Sequence, residues 1–184
     1  MALIDSYLPH YQFAERHAIE VPVPPAQVLD AIAPALLASD PLARFFIALR
    51  ELPARLLARL GGRSRLPKRA FSPADLVALG RDGDREIAFG LAGCFWQADY
   101  GLVHLPDAQA FRDRNDQPRL VMNFTASPRG AGCWLETQTR VHCPDAAMLR
   151  RFTPYWYLIR PVSGLIRLRL LRRIRQTALA RAAR

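Results

Sequence analysis

Residues 14–22 alternate in polarity, with His17, Ile19 and Val21 on one side and Arg16, Ala18 and Glu20 on the other. That period of two predicts a half-buried strand, ended by the prolines at 22, 24 and 25. Pro25 suits the first turn of a helix, and Val28, Leu29, Ile32 and Leu36 follow at helical spacing. Asp40-Pro41 opens a second helix with Leu42, Phe45, Phe46, Leu49 and Leu52 as its apolar stripe. Pro53 breaks or kinks that helix, and Leu56, Leu57 and Leu60 carry it to a stop at Gly61-Gly62. A basic, Gly/Pro-punctuated loop over 61–73 follows.

From residue 75 the period is two. Residues 75–80, 85–92, 94–105, 119–126 and 133–142 read as strands, the first pair joined by Asp82-Gly83. The polar stretch 106–118 reads as a long exposed loop. Asp145 suits an N-cap for a long helix, interrupted at Pro161-Val162-Ser163-Gly164 and resuming to the end. The pattern predicts one α+β domain over 1–184. Its parts are an N-terminal arm (1–13), a helical insert after the first strand (40–61), an antiparallel sheet of about six strands and a C-terminal helix (146–184) that covers the sheet.

Composition fits this picture. Of 184 residues, 51% are hydrophobic and 23% charged, which excludes global disorder. The net charge of +10 is concentrated: residues 146–184 hold ten arginines and no acid, so the rest of the chain is neutral overall. A smaller basic cluster, with no acid, lies at 52–74. Three cysteines without C-x-x-C spacing argue against a disulfide scaffold or a zinc ribbon. Arg160, Arg167 and Arg169 interrupt the best candidate for a membrane span. With no signal-peptide pattern at the N-terminus, the expected location is cytoplasmic, with peripheral contact at the inner membrane open to the basic helix.

The order strand, helices, meander, long helix resembles the START-like helix-grip superfamily (SRPBCC type), which includes lipid-transfer domains and polyketide cyclases. Glu15-Arg16-His17, Gly93-Cys94-Phe95-Trp96, residues 136–141 and residues 158–164 look like a bacterial branch of it. The resemblance implies a curved sheet wrapped around the C-terminal helix and an apolar cavity between them. It carries over no catalytic residue, because the superfamily has no common catalytic set.

Candidate chemistry is sparse. No phosphate loop, G-x-G-x-x-G, H-E-x-x-H or nucleophile elbow occurs, and no cofactor or metal is implied. His142-Cys143 point to opposite faces of a strand and suit no shared metal ion. In a helix-grip topology the first strand lies beside the last, which brings His17 within reach of Arg140, Gln138 or Glu136. There it either orients a ligand at a cavity wall or is satisfied by neighbours on the outer face. Phe89, Trp96, Phe124 and Trp156 line the implied cavity, with Asn123 or Arg140 as polar anchors, or else fill an ordinary core. Leu165, Leu168, Leu171, Ile174 and Ala178 make the terminal helix's apolar stripe. Arg167, Arg169, Arg172, Arg173 and Arg175 surround it and face water or an anionic surface.

Three functions fit. The first is binding or transport of a small hydrophobic ligand, lipid or polyketide-like. The second is docking on a membrane or partner through the basic helix. The third, a cyclase- or dehydratase-like enzyme, needs a paired acid and base that the sequence does not locate. Nucleic-acid binding has the charge but no reading motif.

Overall fold

The computed structural model of the protein describes residues 1–38, 40, 41, 45, 75–97, 99 and 101–183. Apart from Asp40, Pro41 and Phe45, the expected insert at 40–61, the loop at 61–73 and the basic cluster at 52–74 lie outside the described residues. The described elements run α1 (Leu3–Tyr7), β1 (Phe13–Val21), α2 (Pro25–Asp30), α3 (Ile32–Leu37), β2 (Val77–Asp82), β3 (Glu86–Ala92), α4 (Ala108–Asp113), β4 (Arg119–Arg129), β5 (Gly132–His142) and α5 (Ala146–Ala182).

Among the described residues the strands form one antiparallel sheet in the order β1-β5-β4-β3-β2. The first strand does pair with the last, from Phe13 opposite Val141 to Val21 opposite Cys133. This is a curved sheet packed on a long C-terminal helix, the helix-grip arrangement that the element order predicts.

Among the described residues of 94–105 the expected strand does not form. Gly93 (φ 153°) and Gly101 (φ 49°) fold this segment back on itself, leaving a single bridge between Gly93 and Leu102. A Cβ on Gly93 would stand 2.6 Å from the Gly101 carbonyl oxygen, an approach only glycine permits. The loop expected over 106–118 contains α4, whose N-cap Asp107 accepts from the Ala110 N–H at 2.8 Å.

Alternation along the strands gives the sheet two covered faces. On the inner face, Met122, Phe124, Ala126 and Leu135 pack with α2, α3 and the second half of α5, while Phe13, Leu91 and Val141 pack with Phe152 and Trp156 from its first half. On the outer face, Val77, Leu79, Ala88 and Val121 pack with Ile4, Tyr7 and Leu8 of the N-terminal arm and Phe111 of α4. The arm is therefore docked. Glu86, buried in the outer face, accepts from the N–H groups of Leu3 (2.7 Å) and Ile4 (3.1 Å) at the start of α1 and from Asn123 Nδ2 (2.6 Å).

α5 is one helix of 37 residues, about 55 Å long, and the interruption expected at 161–164 is absent. Pro154 and Pro161 lie inside it. Proline at 161 removes the N–H that would bond the Tyr157 carbonyl, but Tyr157 and Pro161 both face solvent, where water can take the place of the missing donor. Packing of both halves on one sheet outweighs the local penalty. Pro161→Ala is therefore expected to stabilise the fold by roughly 1–3 kcal/mol, seen as a rise of several degrees in thermal midpoint. An unchanged or lower midpoint would show that the helix gains nothing from the missing bond.

Candidate functional site

The buried side of α5 returns to the sheet every third or fourth residue, through Phe152, Trp156, Leu171, Ile174 and Ala178. Between Trp156 and Leu171 the same seam carries Ser163, Gly164 and Arg167, none of which is a large apolar side chain. Here the sheet and helix border a part-open cavity of about 190 Å³. Leu120 and Val141 form its roof and Phe152, Trp156 and Ile159 its floor, while Thr139, Ser163 and Arg167 supply its polar atoms.

Arg167 is the unusual member. Its Nη1 lies 2.7 Å from the Met122 sulfur, a weak acceptor, and its Nε is buried with no hydrogen-bond partner among the described residues. Desolvation pushes the guanidinium down to about 10, opposed by the charge of Glu15, so the group is still protonated at neutral pH. Thr139 Oγ1, which also borders the cavity, is likewise buried with no partner among the described residues.

Glu15 and His17 stand next to this site on the inward side of β1. Glu15 Oε1 is 2.8 Å from His17 Nε2, and its Oε2 has no partner among the described residues. Gly164 makes room for them, since a Cβ there would lie 2.9 Å from Glu15 Oε1 and 3.3 Å from His17 Cε1. Beyond this pair, along the β1 edge of the sheet, runs an open groove of about 700 Å³ bordered by Arg16, His17, Arg160, Pro161 and Leu165.

The residues singled out from sequence divide among these places. Trp156 lines the cavity and His17 the groove. Trp96 packs against Phe152, ring centroids 6.1 Å apart. Phe124 is fully buried in the inner core and meets Phe89 edge-on at 6.4 Å, so both rings fill space. Asn123 and Arg140 lie on the outer face, because strand alternation turns them away from Phe124 and Val141. Asn123 holds Glu86, and Arg140 is bound to Asp5 (2.7 Å) and the Leu8 carbonyl (3.2 Å) beneath the Tyr11 ring. His17 faces Thr137 across the strand pair, so Gln138, Arg140 and Glu136 are not its neighbours on that face.

The arginines of α5 divide similarly. Arg172 and Arg175 are exposed as expected. Arg167 turns inward. Arg173 donates to the carbonyls of Ala35 (3.4 Å) and Ala38 (2.7 Å) at the end of α3 and pairs with Asp40 (2.6 Å), which Arg169 also approaches at 3.3 Å. Arg181 donates to the Asp30 carbonyl at the end of α2 (2.8 Å). Part of the basic excess thus satisfies helix C-termini, where open carbonyls favour cations.

Thr139, Ser163 and Arg167 were not readable as a cavity set from their residue types. The available signal was position: Arg167 stands eleven residues after Trp156 and four before Leu171, on the buried seam. Among the described residues no group of three His, Cys, Asp or Glu side chains could hold a metal ion, and Cys94, Cys133 and Cys143 are free. Burial pushes the Cys143 thiol up to about 11, which keeps it protonated at neutral pH.

No protein-family profile matches the chain, and no curated protein does. Solved structures do. Ara h 8.0201 is 9% identical over 91% of this chain and 98% of its own, with a TM-score of 0.45. TTHA0849 from Thermus thermophilus is 12% identical over 91% and 98%, with a TM-score of 0.34. CalU16 from Micromonospora echinospora is 14% identical over 94% and 98%, with a TM-score of 0.31.

Proposed function

We propose that the protein binds a small, mainly apolar molecule in the cavity between the sheet and α5. The observation that carries this reading is the cavity itself, walled by Leu120, Val141, Phe152, Trp156 and Ile159. An apolar cavity of roughly 150 Å³ accepts benzene, so a part-open volume of about 190 Å³ suits one aromatic ring with a short substituent or a short acyl chain. That size is too small for a two-chain lipid and narrows the ligand class expected from sequence. Carriage rather than conversion fits the residues better: the Glu15–His17 pair borders the groove, while Thr139, Ser163 and Arg167 border the cavity.

Fluorobenzene followed by fluorine NMR tests this reading. Saturable binding to the wild-type protein is expected, and Ile159→Trp, which fills the cavity from a half-buried position, should raise Kd by roughly tenfold or more. Absence of saturable binding, or equal binding by a folded Ile159→Trp variant, would contradict it.

A second reading rests on the solvent side of α5. Tyr157, Leu158 and Leu165 are 63%, 77% and 45% exposed, and the same helix face continues to Arg169 and Arg172. An apolar stripe running into a basic one suits the surface of an anionic membrane. Flotation with phosphatidylserine-containing vesicles, but not with pure phosphatidylcholine, is the expected result. Arg172→Gln and Arg175→Gln should each weaken it roughly fivefold. Equal flotation with both vesicle types, or none with either, would dismiss membrane docking.

A further inference from the structure

We propose that the cavity is built for an acid: a small monocarboxylate whose apolar body lies against Phe152 and Trp156 and whose carboxylate is held by Arg167 and Thr139. This rests on the reading of the cavity as a ligand site and names the chemistry of the ligand's head.

The argument begins with an unmet requirement. A guanidinium drawn partly out of water, as on the half-buried Arg167, needs acceptors, and a charge that lacks them is costly. Arg167 offers five N–H donors. Its Nη1 meets a thioether sulfur and its Nε meets nothing among the described residues. Glu15 offsets part of the charge from a distance, but one of its oxygens is committed to His17 and the other has no hydrogen-bond donor among the described residues. Among the described residues Glu15 therefore makes no direct hydrogen bond to Arg167.

The second unmet group is Thr139 Oγ1, buried and without a hydrogen-bond partner among the described residues, on the sheet side of the same cavity. Arg167 comes from the helix and Thr139 from the sheet, so the two approach one volume from opposite walls. Ser163, one helical turn before Arg167, adds a third hydrogen-bonding position. A carboxylate is the head group that answers this set. It is planar, it accepts from the guanidinium fork through two oxygens, and it retains lone pairs for a hydroxyl. A neutral amide presents one acceptor oxygen and brings donors that a guanidinium cannot use. Opposite this head the walls are aromatic and aliphatic, which requires the rest of the ligand to be apolar.

Isothermal titration with 3-phenylpropanoate and its isostere 3-phenylpropanamide at neutral pH tests the assignment. The wild-type protein should bind the acid roughly tenfold or more tighter than the amide, the range of a hydrogen bond to a charged group. Arg167→Met should bring that ratio to about one and Thr139→Val should reduce it, whereas Arg167→Lys should keep part of it as a point charge. Arg167→Met should also raise the thermal midpoint, because it removes a buried and poorly partnered charge; a side chain retained for packing would lower it. Equal affinity for acid and amide in the wild type, or a ratio that survives Arg167→Met, overturns the proposal while fluorobenzene binding leaves the cavity reading standing. If acid, amide and fluorobenzene all fail to bind, both readings fall together.

Discussion

The buried seam of α5 is the constraint on which the rest of the structure depends. One long helix shares the inner face of a five-stranded sheet with α2 and α3, and helical geometry brings every third or fourth of its side chains back to that face. At one end the seam supplies Phe152 and Trp156 against Phe13, Leu91 and Val141. At the other it supplies Leu171, Ile174 and Ala178 against Met122, Phe124 and Leu135. Both ends are packed with apolar side chains. The middle presents Ser163, Gly164 and Arg167, and the cavity lies where Ser163 and Arg167 adjoin the Phe152–Trp156 end.

A charge at this position works against stability. Arginines drawn out of water are ordinarily paired, and among the described residues Arg167 has only a sulfur contact and the field of Glu15. Gly164 lets the Glu15–His17 pair approach the helix closely enough to moderate that charge, and a larger side chain there would crowd it. The polar stretch therefore involves β1, β5 and α5 together. Departures from apolar packing that cost stability are concentrated at sites of function, and this one adjoins the cavity.

The architecture was legible because period-two segments, a helical terminal segment and proline boundaries are local signals. Phe13–Val21 and Glu86–Ala92 form strands close to where alternation puts them, and Asp145 caps α5 by accepting from Met148 at 2.7 Å. Where tertiary contacts overrode local preference, the pattern misled. Pro161 and Gly164 look like a helix stop, yet the proline faces solvent and the glycine faces Glu15, so each is accommodated within one continuous helix. The segment at 94–105 alternates like a strand, but two glycines at positive φ turn it back. The site was harder to read, because face assignment depends on register. A shift of one residue separates Asn123 from Phe124 and Arg140 from Val141, and the polar member of each pair proved to serve the outer face and the N-terminal helix.

The basic tail also takes a different meaning in three dimensions. Its arginines divide among helix C-termini, open solvent and, at Arg167, the interior. The most direct test of the central claim is a crystal structure of the protein soaked with 3-phenylpropanoate. The account predicts the phenyl ring between Phe152 and Trp156, with the carboxylate within hydrogen-bond distance of Arg167 and Thr139. A ligand found only in the groove beside β1, or a cavity closed by side chains with Arg167 paired directly to Glu15, would contradict it.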